Sequence, residues 1–301
     1  MKILIVGAGG VGGFLGSQLC KAGFDISFVA RGKRFDFLSK NGLEMKSKLG
    51  NTKIKNINVY KSVPQNKKFD LILCTIKLYD FDNFISQIKK IGLKNSILLP
   101  FQNGIYSEQK ILEEFGENNT YGAVAQISAF INERQIVIHK GKLASFFVGN
   151  INNINDERLV NFCNKCQSFG LDIKIKQNIK EKIWEKFIFL SAYSGITTMS
   201  QKTIGEIFEN IKLKNLFITA MKETYLLSKF FNVKFKSNPI QHWLEKIEKM
   251  PYDMTSSMHV DFVKKRKLEL QWLSGSIVYY SDMFGNECKV HKKIIEKINI
   301  K

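Results

Sequence analysis

Ile3-Leu4-Ile5-Val6-Gly7-Ala8-Gly9-Gly10-Val11-Gly12-Gly13-Phe14-Leu15-Gly16 opens this chain, and its reading decides the fold. An apolar run enters Gly7-x-Gly9-x-x-Gly12, and a helically periodic stretch leaves it and stops at Gly23. Gly7 permits a tight turn, and Gly9 lets the main chain approach a pyrophosphate at a helix N-terminus. Gly12, with Gly16 one turn later, lets that helix lie close on a sheet. Ala8, Gly10 and Val11 complete the loop expected to cradle the phosphates. A second apolar run, Asp25 to Val29, then ends at Arg31. In NAD enzymes the matching place, about 20 residues past the fingerprint, holds an acidic residue for the ribose 2′-hydroxyl. Arg31, with Lys33 and Arg34 behind it, suits a 2′-phosphate instead, so the sequence points to NADPH/NADP+.

A chain of 301 residues is long enough for two domains. It has no uninterrupted apolar run long enough to span a membrane. With Met1 running straight into the first expected strand, no signal peptide is expected. The five cysteines, an odd number, suggest no disulfide framework, and a cytoplasmic location is expected. The net charge of +19 raises the question of nucleic acid. The lysines, however, are scattered among Asn and Ile, and no helix-turn-helix, zinc-finger or RNP-like pattern focuses them. Attraction for an anionic cofactor and substrate accounts for the charge without a nucleic-acid partner.

The first part alternates strands (2–6, 25–29, 71–76, 97–100) with helices (10–22, about 33–40, 80–91, 106–115). Continuous apolar runs separated by helices indicate parallel strands covered on both faces. Short strands between 119 and 149 read as an antiparallel addition to the sheet edge, and helix 156–168 with strand 171–175 closes the domain. From 179 the strand signal nearly vanishes, and helices are expected over 179–199, 203–209, 212–231, 239–249, 255–284 and 289–299. The fold class is thus α/β: a Rossmann-type dinucleotide-binding domain over 1–178, then an all-α domain over 179–301 that supplies groups facing the nicotinamide.

A hydride donor needs a partner that polarises a carbonyl and supplies a proton. The four histidines are dispersed without ligand spacing, and Cys163-x-x-Cys166 has no second pair, so metal assistance is not expected. Lysine is the leading proton donor. Lys186 lies in the apolar start of the first helix after the domain junction and shares a face with Leu190, Tyr193 and Ser194. On spacing alone, a lysine snorkelling to solvent remains the plainer reading.

Several short pieces recur in order: the glycine fingerprint, Thr75-Ile76-Lys77, Gln102-Asn103-Gly104, Trp184-Glu185-Lys186, Ser256-Ser257-Met258 and Glu269-x-x-x-x-Ser274-Gly275. Over nearly its whole length the chain resembles the ketopantoate reductase (2-dehydropantoate 2-reductase) family. The resemblance implies that Lys186 is the general acid, that Asn103 lies beside nicotinamide and substrate, and that Lys77 lines the cofactor site. It further implies that Ser257 and Glu269 hold substrate and nicotinamide-ribose groups. Ser257 and Glu269 lie 12 residues apart, about 120° on an unbroken helix. For both to meet one ligand, a bend near Lys264–Lys267 is expected. Taken alone, a helix cap at Ser256 or Ser257 and a solvated Glu269 are the plain alternatives.

The chain also departs from the family. Where well-studied members carry substrate-binding asparagines one and two turns beyond the lysine, it has Leu190 and Ser194. Leucine cannot replace an amide's hydrogen bonds. The expected function is NADPH-dependent reduction of a 2-keto acid to a 2-hydroxy acid, foremost ketopantoate to pantoate for pantothenate and coenzyme A. The partner is a small-molecule 2-keto acid, with Ser194 among the residues meeting it and a homodimer compatible with the apolar helices. A reductase of another 2-keto acid, an opine- or glycerol-phosphate-type dehydrogenase, and a non-catalytic NADPH sensor stay open as alternatives.

Overall fold

The structure is a computed structural model that describes residues 1–93 and 95–300. The expected helical half ends at Lys301, which lies outside the described residues. Two compact units emerge: residues 1–102 with 107–179, and residues 103–106 with the chain from 180 onward.

The first unit is built on a parallel five-stranded sheet of β1 (Lys2–Val6), β2 (Asp25–Val29), β5 (Asn58–Tyr60), β6 (Leu71–Cys74) and β7 (Ile97–Pro100), in the order β5-β2-β1-β6-β7. Ile3, Leu4 and Ile5 point alternately to opposite faces, yet all are fully buried. Both faces are therefore covered, and the strands read as unbroken apolar runs. In α3 (Phe81–Ile91), Phe81, Phe84, Ile85 and Ile88 form the buried stripe of an amphipathic helix.

A second sheet contains β3 (Leu43–Lys46), β4 (Thr52–Ile54), β8 (Tyr121–Ile131), β9 (Val137–Asn150) and β10 (Asp172–Ile175), ordered β10-β9-β3-β4 with β8 on β9. This corrects the expectation of an antiparallel addition to the first sheet's edge. The strands from 119 onward pair with one another and with β3, not with β7. It also corrects the expectation of only short strands between 119 and 149. β9 is one strand whose register on β8 jumps from Ile127–Ala144 to Ala129–His139.

Helix α1 (Gly10–Lys21) lies between the two sheets, which explains why it carries glycine on more than one side. A Cβ at Gly12 would sit 2.1 Å from the Gly7 carbonyl oxygen, and one at Gly16 2.3 Å from the Phe28 ring. A Cβ at Gly10 would sit 2.1 Å from the Ala129 carbonyl oxygen, and one at Gly13 2.5 Å from Val137. Phe146 of β9 packs against Phe14 of α1 and Phe101. Helix α2 (Gly32–Asn41) follows β2, α4 (Tyr106–Phe115) follows β7, and α5 (Glu157–Ser168) buries Leu159, Phe162, Cys163 and Cys166 on one stripe. That burial pushes both thiols up to about 12, so they behave as small core residues.

The second unit is helical: α6 (Ile179–Ser200), α7 (Ile204–Glu209), α8 (Ile211–Phe230), α9 (Pro239–Ile247), α10 (Ser257–Val263), α11 (Ser274–Met283) and α12 (Lys289–Asn299). Charged only in its first turns, α6 is the core helix: Ile183, Trp184, Phe187, Ile188, Ala192 and Ile196 are all buried. Its neighbours start on side-chain caps, Thr203 in a capping box, Asn210, Asn238 and Ser256. The single helix expected over 255–284 is two helices. α10 ends at Lys264, Lys265 takes a left-handed φ of 52°, and a 3-10 turn over Leu270–Trp272 leads into α11. The bend falls where the placement of Ser257 and Glu269 required it.

Candidate active site

In the first unit the short motifs sit just past the carboxyl ends of the parallel strands. Gly7 follows β1, Arg31 lies two residues beyond β2, Thr75-Ile76-Lys77 follows β6, and Gln102 lies two residues beyond β7. This is where ligands bind in open α/β sheets, because the loops there diverge.

Gly7 holds a φ of 100°, and a Cβ there would sit 2.8 Å from the Ile76 nitrogen; only glycine makes the turn. The Thr75 hydroxyl donates to the Gly7 carbonyl oxygen at 2.5 Å and ties the turn to β6. Gly9 caps α1 without a side-chain hydrogen bond, and the first turn of α1 carries no acidic residue. A Cβ built on Gly9 meets nothing within 4 Å. Backbone donors with open space before them are what a diphosphate needs. A cavity of about 310 Å³ opens there, lined in part by Gly7, Gly9, Arg31, Arg34, Lys61 and Lys77. A glycine cradle with cationic walls fits an NADP dinucleotide.

The cations differ in their restraint. Arg31 is exposed, with Nη2 2.9 Å from Oδ2 of Asp80, which also lines the cavity. Lys33 is exposed, whereas Arg34 is half-buried and bound to main-chain carbonyls. Lys61 follows β5, with Nζ 5.1 Å from the Phe35 ring centroid. The sequence marks Arg34 only as part of the cationic cluster behind Arg31, and it marks neither Asp80 nor Lys61. Lys61 was hidden because β5 is only three residues long and follows a stretch without periodicity.

In the second unit, Lys186 is half-buried on α6, and its Nζ donates to Asn103 Oδ1 at 2.8 Å. Asn103 is carried there by Gly104, whose φ is 90° and whose Cα faces Phe187, Leu273 and the Trp272 carbonyl. Tyr106 meets the Trp272 ring edge-on at 6.5 Å. The residue before Lys186 is also braced. The Glu185 carbonyl accepts from Trp243 Nε1 at 2.6 Å, and its carboxylate accepts from Lys182 Nζ at 2.8 Å. Burial of neighbouring Lys246 pulls its ammonium below the ordinary lysine value. Glu269 is buried at the start of the 3-10 turn, and its carbonyl accepts from the Trp272 and Leu273 amides. That turn delivers Trp272 and Leu273 to the Asn103–Tyr106 segment.

Ser257, Ser194 and Lys77 are the remaining site candidates. Ser257 is exposed at the first position of α10, whereas Ser256 is its cap, accepting from the His259 amide at 3.1 Å. Ser194 is 1% exposed inside α6, and its carbonyl accepts from Thr198 Oγ1 at 2.7 Å. Lys77 caps the 3-10 turn Leu78–Asp80 on the cofactor side. A half-buried ammonium oriented by an amide oxygen can donate a proton to an oxygen brought to it.

Comparison with known proteins gives two family matches along the chain. "Ketopantoate reductase PanE/ApbA" covers residues 3–153, and "Ketopantoate reductase PanE/ApbA C terminal" covers residues 178–301. A 2-dehydropantoate 2-reductase of Pyrococcus horikoshii is 28% identical over 294 residues, spanning 97% of this chain and 94% of that protein. The crystal structure of a PanE/ApbA family ketopantoate reductase from Ralstonia eutropha JMP134 superposes with a TM-score of 0.89 at 20% identity, covering 100% of this chain and 98% of the other. A ternary structure of D-mandelate dehydrogenase with NADH and anilino(oxo)acetate has the same fold, with a TM-score of 0.88 at 19% identity, covering 100% and 97%. Both family matches, placed end to end on a glycine cradle and a helical unit bearing Lys186, lead to one conclusion: the chain belongs to the ketopantoate reductase family, NADP-dependent oxidoreductases that act on CH–OH groups.

Proposed function

We propose that the chain reduces ketopantoate to pantoate, with Lys186 as the proton donor. The supporting observation is the 2.8 Å hydrogen bond from Lys186 Nζ to Asn103 Oδ1. It leaves the ammonium aimed by a neutral group that does not take its proton. Bound NADPH supplies the hydride that goes to the keto carbon. The developing alkoxide takes a proton from Lys186, so a C=O bond becomes CH–OH and the amine is reprotonated from solvent. Asn103 keeps the ammonium in line, and the cationic site draws the substrate's carboxylate. Glu269 and Ser257 are assigned to the nicotinamide-ribose and substrate hydroxyls, and Lys77 to the cofactor side.

Leu190 and Ser194 favour a second reading, a 2-keto acid with a more apolar side chain. An amide at either position would bind a polar substituent that leucine rejects. The test is NADPH oxidation with a panel of 2-keto acids that includes ketopantoate. Fast turnover of ketopantoate supports the first reading, and turnover only of apolar 2-keto acids supports the second. Tight NADPH binding with no turnover of any member refutes both. We also place the protein in the cytoplasm. Its described cysteines are unpaired, and no described helix is long and apolar enough to cross a membrane.

A further inference from the structure

Arg34 sits in the first turn of α2, yet it is half-buried where Arg31 and Lys33 are exposed. Its Nε donates to the Ala8 carbonyl at 2.7 Å, and its Nη1 donates to the Gln135 carbonyl. Ala8 lies in the middle of the glycine turn. Gln135 lies in the tight turn between β8 and β9, with a left-handed φ of 60° and its amide on the Asn132 carbonyl. Both acceptors are neutral, so the guanidinium charge is not cancelled by these bonds. Its Nη2 is buried and has no hydrogen-bond acceptor. Burial pushes this guanidinium down to about 10, far less than would discharge it at neutral pH.

The Ala8 carbonyl and the Gly9 amide belong to one planar trans peptide, so they point to opposite sides. Holding the carbonyl toward Arg34 turns the Gly9 N–H away from it. The wall behind this turn is the second sheet: Gly10 abuts Ala129, Gly13 abuts Val137, and Ile131 lines the cavity.

We propose that Arg34 is a positioning residue for the coenzyme diphosphate, pinning the Ala8–Gly9 peptide to the β8–β9 turn and adding a fixed positive charge beside it. Recognition of the 2′-phosphate then falls to Arg31. The assignment is independent of which keto acid is reduced.

Dissociation constants of three ligands test it: NADPH, NADH, and adenosine 2′-monophosphate, which carries the 2′-phosphate but no diphosphate. Arg34→Met should weaken NADPH and NADH together, by about 10-fold or more for a lost charged hydrogen bond. It should leave adenosine 2′-monophosphate within about two-fold, since that ligand makes no diphosphate contact. Arg31→Ala should do the reverse, weakening NADPH and adenosine 2′-monophosphate but not NADH. Equal loss of all three ligands in Arg34→Met would mean a general loosening of the unit and overturn the proposal. So would a loss confined to NADPH and adenosine 2′-monophosphate, or no loss at all. If Arg34→Met fails to fold, Arg34→Gln, which removes the charge but keeps an N–H able to reach one carbonyl, carries the same three-ligand comparison with the same outcomes.

Discussion

His291 should make the helical unit sensitive to mild acid. The ring is fully buried, and its Nε2 donates to the Ala220 carbonyl at 3.1 Å. A carbonyl only accepts, so the proton sits on Nε2, and Nδ1 accepts from the Ser274 hydroxyl at 3.2 Å. The neutral ring is thus satisfied, and burial pushes its pKa down from 6.5 to about 4. Because the folded value is depressed, the unfolded chain takes up a proton first as pH falls through 6.5. Stability is therefore full above that value and is lost progressively toward about 4. Integrating between those limits gives a loss of about 2 kcal/mol on going from about pH 7 to about pH 5. Glu223, which caps the start of α12 through the Val290 and His291 amides, is raised by burial. Its contribution runs the other way, so a comparison of two proteins is needed to isolate the histidine. His291→Gln keeps an N–H able to reach Ala220 but has no proton to gain. Urea unfolding followed by tryptophan emission reports on the right unit, since Trp184, Trp243 and Trp272 all lie in it. Wild type should lose about 2 kcal/mol more than His291→Gln between the two pH values. Equal losses would refute the reasoning and show that the ring is hydrated or already charged in the folded state.

Lys186→Ala should lower kcat by about 10²-fold or more while NADPH affinity is retained, because only proton delivery is removed; unchanged turnover would exclude that lysine as the acid. Gly16→Ala places a methyl 2.3 Å from the fully buried Phe28 ring. The overpacking should cost about 1–3 kcal/mol and lower Tm, whereas a rise in Tm would mean that helix propensity dominates and the helix-to-sheet contact is slack.

The glycine turn, the parallel strands and the helical second half were legible because each rests on a local, periodic signal. Ile3 to Val6 and Leu71 to Cys74 could hardly be anything but doubly covered strands, given the glycine and helix patterns beside them. The second sheet was not legible. β3 and β4 are four and three residues long, and the strand that ties this short pair into the sheet, β9 on β3, lies far along the chain, so neither length nor alternation marks them. The break between α10 and α11 was expected from a functional demand, not a propensity: nothing in Lys264 or Lys265 announces a left-handed residue, but two side chains expected to meet one ligand could not share an unbroken helix. Lys186 illustrates the limit of spacing arguments. Its position on α6 is visible in the sequence, but its partner Asn103 lies 83 residues earlier, and only the fold places the two together. Arg34 is visible as a charge near Arg31, but its burial against Ala8 depends on the β8–β9 turn packing beside the glycine turn, a long-range contact that no local signal encodes.

The segment from Asn103 to Tyr106 packs with the helical unit although both its flanks belong to the other unit. The helical unit is therefore discontinuous in the gene. A fragment begun at residue 180 would be born with a notch beside Phe187, Leu273 and Trp272, and its lysine would lack the amide that steadies it. Neither half can be transplanted with a single crossover. A chimera between relatives would need a three-part splice that carries this tetrapeptide with the helices, and recombination breakpoints at the obvious boundary alone should yield proteins that bind dinucleotide yet turn over poorly.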